Sequence, residues 1–511
     1  MPLSLPRPRH AALALLLASG ALAASARAAD VPADLYARVD RITWGATPET
    51  LAQARQQGFE AWLQGQLKPS AQPALPPEVA ARIAALPIST TDSAQAVVAL
   101  RERSQANKQI KDPDAQLQAR RDTNKAIRER GEQARERAVW LALYSPNQLQ
   151  EHMTWFWMNH FNVWLNKGYV GAVLDDYEAR ALRPRSLGRF RDLLEATLRS
   201  PAMLMYLDNA ASRVGKINEN YARELLELHT LGVDGGYSQR DVQELARILT
   251  GVGVNNTGKP RPAKGPHAAD LISDGLFEFN PAAHDYGDKV FLGHTIKGRG
   301  WAEVEQALDI LASHPATARH ISQKLATFFV ADAPPKALVD QLSRAFTQSD
   351  GDIAAVLRVL FNSPAFAASL KDGKFKDPVH YVYSSLRLAL HDQPALSNAR
   401  AVATLISTLG QPLYGRLTPD GYPLTQNDWA GSGQLNARFE AARAIAAAAG
   451  TFYRDKDQPM PRIKLSRLSE AYGSPSPFDQ WPAASREAIG QARSVTDANT
   501  YLLAAPPFMR R

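Results

Sequence analysis

Apolar residues recur at intervals of three and four along most of this chain, which is the period of an amphipathic α-helix. The clearest run is residues 218–232, NENYARELLELHTLG, where Tyr221, Ala222, Leu225, Leu226 and Leu228 fall in one sector at about 3.6 residues per turn. His229 lies in the middle of that sector. Glu219, Arg223 and Glu227 stand at i, i+4 and i+8 on the opposite side, which places the arginine to bridge both carboxylates, while Glu224 flanks the apolar edge. Gly232 supplies a left-handed C-cap, and Asp234, Gly235 and Gly236 supply a tight turn. Ser238 with Asp241 then reads as a capping box opening a second helix on Val242, Leu245, Ala246 and Leu249. The pattern predicts an αα-hairpin with one buried imidazole.

The same reading organises the rest. Residues 35–67 read as helices, with Thr47 and Pro48 as a start signal, and 69–77 as a linker. Residues 94–137 read as a pair of exposed helices broken at Asp112 and Pro113, and the main core begins at Ala138. Residues 151–165 carry Trp155, Phe156, Trp157, Phe161 and Trp164, so that helix is apolar nearly all round and belongs at the centre. His152, Phe156, Asn159, His160 and Val163 share one of its sides, with the two histidines roughly 12 Å apart along the axis, too far to share one ion.

Residues 259–274 form a polar loop rich in Pro and Gly, and 277–293 alternate enough to suggest a small hairpin with His284 and Asp285 on its turn. Further helices are predicted over 301–313, 315–330, 337–348, 352–362, 380–391 and around 434–450. With no internal repeat and no βαβ alternation, the expected class is mainly α: a multi-helical core with a small β-hairpin or long loop insertion. Its expected segments are a leader at 1–28, an N-terminal helical part at 29–93, a charged helical insertion at 94–137, the main core at 138–395, and a helical and Pro-rich part at 396–511 packing on that core.

Composition narrows the setting. Arg7, Arg9 and His10 precede an apolar run over 11–24 and the small-residue site Ala26, Arg27, Ala28, the pattern of a secretory signal peptide. Periplasmic or extracellular residence is therefore expected, and no later segment is apolar for long enough to span a membrane. The absence of Cys removes disulfides, thiolate ligands, cysteine nucleophiles and a lipoprotein anchor together. The formal charge of +8 falls to +5 without Arg7, Arg9 and Arg27, and residues 101–137 hold eleven Lys or Arg against seven Asp or Glu. Mixed charges at helical spacing without aromatics indicate a solvated face rather than a nucleic-acid surface.

Several of these stretches together resemble the bacterial family catalogued as domain of unknown function 1800. The matching pieces are RITWGATP (41–48), WMNHF (157–161), residues 218–232, HDYGDK (284–289) with FLG (291–293), HPATAR (314–319) and TPDGYP (418–423). They run in order over nearly the whole mature chain, and the charged 94–137 segment is the main departure. The resemblance implies an exported, mainly helical protein, often encoded beside a second exported protein, and brings no mechanism with it.

The residues themselves suggest a site built from Asn159 and His160, from Glu224 and His229, and from His284 with Asp285. In one form His160, His229 and His284 hold a divalent metal that activates water. In the other, metal-free form, His284, Asp285, Glu224 and His229 work as general acids and bases while Arg223 and Asn159 hold a polar or anionic substrate. The spacing is not that of a His-Glu-x-x-His site, and Glu224 and His229 are rotated about 140° on an α-helix. His229 and His160 fit equally as hydrogen-bonded core residues, and Glu219, Arg223 and Glu227 as an ion-pair ladder. His314 reads as a helix start, and His320 and His391 as surface residues. Two functions follow: a hydrolase or lyase acting on a cell-envelope or extracellular polymer, or a non-catalytic scaffold for a co-exported partner using the 94–137 helices.

Overall fold

A computed structural model describes residues 34–511 apart from 260, 263, 264, 449 and 456–458, so the signal peptide expected at 1–28 lies outside the described residues. Among the described residues there are 23 α-helices and five strands of three residues each, so the mainly α class holds. Helix punctuation follows the sequence signals. Thr47 caps Pro48–Gln57, Asp352 caps Ile353–Phe361, and Ser238 with Asp241 forms the full capping box at the start of Gln239–Ile248.

The aromatic helix Gln148–His160 is central, with only Gln150 and Trp155 outside its buried set. Trp157 Nε1 donates to the Ser186 carbonyl at 2.8 Å, and Tyr177 Oη to the Phe161 carbonyl at 2.7 Å, so the polar ends of the aromatic residues are satisfied inside the core. Buried apolar residues from Leu35 to Met509 belong to one cluster, and the segments expected from the sequence share it.

The charged stretch forms two helices, Ser93–Asn107 and Pro113–Tyr144, broken where Asp112 caps and Pro113 starts the second. Solvation does not extend along its whole length. Ile127, Arg130, Gly131 and Ala134 are buried, Arg130 donates to the Ala172 carbonyl, and a Cβ on Gly131 would collide with Leu165. The helix therefore crosses residue 137 without a boundary, and its second half is part of the core.

The strands correct the expected hairpin. β1 (Val252–Val254), β2 (Ile272–Asp274) and β3 (Phe277–Phe279) form an antiparallel sheet in the order β1-β3-β2, while β4 (Lys289–Phe291) pairs with β5 (His294–Ile296). Glycines at positive φ, Gly275 at 58° and Gly293 at 77°, make the tight turns between β2 and β3 and between β4 and β5. His284 and Asp285 consequently sit on the connection between the two sheets, after the short turn Pro281–Ala283, and not on a hairpin tip.

The segment at 218–232 is helical but not uniformly α. An α-turn over Asn220–Glu224 opens into a wide π-turn over Leu225–Thr230, and Gly232 at φ 87° ends it with a bond to the Leu226 carbonyl. Arg223 reaches Glu219 at 3.1 Å and then Gln239 at 2.9 Å, so only half of the expected ladder forms.

Helix Pro315–Phe329 is held at its C-terminal end by two buried arginines from far away in the chain. Arg41 donates to the carbonyls of Phe329 (2.7 Å) and Val330 (3.3 Å), and Arg511 donates to that of Phe328 (2.8 Å). Cations there satisfy carbonyls that lack an in-helix partner and oppose the helix dipole.

Candidate functional site

Four elements meet at one cluster: the end of helix Gln148–His160, the wide turn Leu225–Thr230, helix Pro315–Phe329, and the loop at 416–423. They bring together His160, His229, His320, Lys324 and Asp420. The ring of His160 lies 6.0 Å from that of His229 and 6.1 Å from that of His320, centroid to centroid.

The main chain sets two of the tautomers. His160 Nε2 is 3.0 Å from the His229 carbonyl, and His320 Nε2 is 3.2 Å from the Leu228 carbonyl. A carbonyl only accepts, so both Nε2 atoms carry the hydrogen, and in the neutral ring each Nδ1 keeps a basic lone pair. His160 Nδ1 and both nitrogens of His229 are buried without a partner. A buried polar group left unpaired costs about 1–3 kcal/mol, and packing alone gives no reason to keep three together.

Phe156 stacks parallel to His160, and Phe161 packs against His160 at 4.5 Å and His229 at 5.0 Å. Burial among these rings, and then the nearby Lys324 charge, holds His160 well below the usual histidine range and His229 down to about 3. The same two causes lower His320 to about 4. Lys324 is half-buried, and burial lowers its amine to about 8 against the opposing pull of Asp420. Among the described residues no carboxylate lies within ion-pair distance of its Nζ.

Two asparagines fasten the loop over this cluster. Asn159 donates to the Tyr422 carbonyl at 2.9 Å and accepts from the Tyr422 amide at 2.6 Å, while Asn162 donates to the carbonyls of Arg416 and Thr418. Gly421, at φ 76°, packs so closely that a Cβ would collide with the Asn159 carbonyl oxygen. Asp420 is thereby presented to the cluster. Against the effect of burial, hydrogen bonds from Arg416 and Thr418 keep it below the ordinary carboxylate value.

Glu224 stands on the same side of the molecule. Burial, then Glu227 and Asp420, raise its carboxyl, so it retains a proton to higher pH than a free glutamate. The π-turn that follows is bonded i to i+5, which brings residues five apart toward one line. The 140° rotation between Glu224 and His229 expected for an α-helix is reduced in consequence.

Of the residues the sequence proposed, His160, His229 and Glu224 belong to this neighbourhood, and the others have different duties. His284 is buried with Nδ1 2.7 Å from the Thr250 carbonyl and Nε2 3.0 Å from Glu303, so it does not join His160 and His229. Asp285 is engaged by Arg247 through both oxygens, which hold it below the usual carboxylate value against the effect of burial. Asn159 has both ends of its amide occupied by Tyr422, and Arg223 lies on the outside with Glu219 and Gln239. The ligand set His160, His229 and His284 is not assembled. Among the described residues no three His, Asp or Glu side chains are grouped to hold a metal ion.

His320, Lys324 and Asp420 were missed by sequence reasoning. His320 was read as a surface residue because it borders the apolar face of its helix. Its i, i+4 spacing to Lys324 was the available signal, since that spacing puts both on one side. A second histidine pair, His152 and His380, lies deeper, with Nε2 atoms 2.5 Å apart, His380 on Asp377 and His152 on the Ile42 carbonyl. Each of those four ring nitrogens has a partner, unlike the nitrogens of His229.

The sequence matches the model of a family described as "Protein of unknown function (DUF1800)" over residues 38–510. No curated protein matches, and no solved structure does.

Proposed function

The chain belongs to the DUF1800 family, whose description assigns no activity, and we propose that it is an exported enzyme whose acid and base groups are His160, His229, His320, Lys324 and Glu224. The reaction class is hydrolysis or lyase cleavage, and the substrate is a polymer of the cell envelope or its surroundings. Export rests on the basic, apolar and small-residue pattern of residues 7–28. Catalysis rests chiefly on one observation: three buried imidazole nitrogens without partners beside a half-buried amine without a counter-ion.

The arrangement suits proton transfer near neutral pH. Glu224 with its raised carboxyl is an acid, Lys324 at about 8 can serve as acid or base, and the imidazoles, held neutral by burial, accept hydrogen bonds through free lone pairs. Arg247 and Asp285 are engaged with each other, His284 with Thr250 and Glu303, and none of the three is given a role in the reaction.

Trace acetylation across a pH series, read residue by residue by mass spectrometry, tests the central claim. Lys324 should lose its proton near pH 8, while exposed lysines titrate near about 10.4. In parallel, a panel of envelope polysaccharides and peptidoglycan is screened for cleavage, with folded Lys324→Met and His229→Ala as controls. Cleavage abolished by both substitutions supports the reading. A Lys324 that titrates with the exposed lysines removes its basis and favours the scaffold role.

A further inference from the structure

We propose that Lys324 is a covalent nucleophile that forms an imine with the carbonyl carbon of its substrate, so that the substrate class is an aldehyde or ketone, including the reducing end of a saccharide. This rests on the reading of the histidine and lysine cluster as an active centre, and it narrows the reaction to the lyase branch.

The setting of Lys324 differs from that of the buried lysines in the same fold. Lys289 pairs with Glu303, Lys374 with Asp332, and Lys376 with Asp40 at 3.6 Å, so each buried ammonium has a carboxylate. A lysine kept for structure needs such a partner, because an unpaired buried charge is strongly unfavourable. Among the described residues Lys324 has none within ion-pair distance, and its charge acts on His160, His229 and His320. The lone pairs left on Nδ1 of His160 and His320 by their bonds to the carbonyls of His229 and Leu228 can accept hydrogen bonds. The side chain is half-buried, so part of it meets solvent.

The chemistry balances without an oxidant or a metal. The Nζ lone pair attacks the carbonyl carbon, a C–N bond forms, and the π electrons of the C=O bond move to oxygen. One proton passes from nitrogen to oxygen by way of solvent, giving a carbinolamine. The nitrogen lone pair then forms C=N as the C–O bond breaks, and the hydroxyl leaves as water after taking a proton from solvent. The resulting iminium draws electrons from an adjacent bond, which is the step a lyase needs. Hydrolysis of the imine by the reverse path returns the free amine.

The test uses the full mature chain with glycolaldehyde and sodium cyanoborohydride at pH 7, followed by peptide mapping. One reduced adduct per chain should form on Lys324, at least about tenfold faster than on the exposed Lys297 or Lys336, because a far larger share of the Lys324 amine is unprotonated at that pH. Lys324→Arg should abolish that adduct, and His160→Gln should slow it while the labelling of exposed lysines stays unchanged. If Lys324→Arg does not fold, the adduct map of the native chain decides alone. Adducts spread over exposed lysines, with Lys324 at or below their rate, overturn the proposal. An amine that titrates near pH 8 but takes no adduct sinks the imine alone and leaves the acid–base reading in place, whereas one that titrates with exposed lysines removes both.

Discussion

The ring of His160 and the main chain of His229 are joined by a single hydrogen bond, in which Nε2–H donates to the carbonyl oxygen across 3.0 Å. The bond ties the aromatic helix to the π-turn and leaves the other nitrogen of His160 buried and unpaired. Acid should therefore act on this cluster first. In the unfolded chain these histidines take protons near pH 6.5, but burial and Lys324 delay protonation of His229 to about 3 and of His320 to about 4. Between those limits the unfolded state binds more protons, so stability falls as pH drops from 6.5 toward 4. Scanning calorimetry across that range should show a steadily falling Tm, with a shallower slope for His229→Gln. A Tm that stays level from pH 6.5 to 4 would contradict the assignment of neutral, buried rings.

Lys324 gives the opposite window. Its folded value of about 8 lies below the ordinary 10.5, so the folded state releases its proton first as pH rises. The unfavourable burial of the ammonium is fully present below pH 8 and is relieved between 8 and 10.5. Lys324→Met removes that burden and should stabilise the protein at pH 7 by on the order of 1 kcal/mol, the usual sign where a functional group is held at some expense to the fold. Urea titrations at pH 7 and pH 10 measure it. A substitution that destabilises equally at both would mark Lys324 as structural.

The loop at 416–423 depends on Asn159. Asn159→Ala removes both bonds to the Tyr422 main chain and should cost about 2 kcal/mol. Hydrogen exchange at Tyr422 should accelerate in that variant. Gly421→Ala should loosen the same loop through its positive φ and the collision with the Asn159 carbonyl oxygen. If exchange in the loop is unchanged in both variants, Asn159 is not its anchor.

Glu303 is the centre of a structural network. It is fully buried, accepts from His284 and Lys289, and also takes the backbone amides of Arg299 and Gly300. Glu303→Ala leaves the buried Lys289 ammonium without its carboxylate and should destabilise by about 3–5 kcal/mol. The double variant Glu303→Ala with Lys289→Met should recover part of that loss. A double variant as unstable as the sum of the single ones would show that the pair is not coupled.

Fold class, the order of helices, and their caps were legible because periodicity and capping are local. Thr47, Ser238 and Asp352 act within three residues of themselves, and each caps as read. The site was less legible, because it is assembled by long-range contacts. His284 with Asp285 looked functional on a polar loop, but Arg247 and Glu303 come from elements 38 and 19 residues away and use them for the fold. His320 reads as a surface residue because nothing local shows that Leu228, 92 residues earlier, offers its carbonyl to the ring. The π-turn was invisible for a related reason: a reading at 3.6 residues per turn assigns every residue of a helical run the same rotation, and the five-residue bonding after Glu224 breaks that rule.

The two arginines on helix Pro315–Phe329 carry a consequence for the order of assembly. Arg41 stands 288 positions from the carbonyl it holds at Phe329, and Arg511 stands 183 from that at Phe328. Contacts so distant in sequence close late, since loop entropy must be overcome before they contribute. The helix bearing Lys324 is thus clamped only when segments far from it on either side in the sequence have closed on it. Pulse acetylation during refolding should show the labelling rate of Lys324 settling to its native value only in the last kinetic phase.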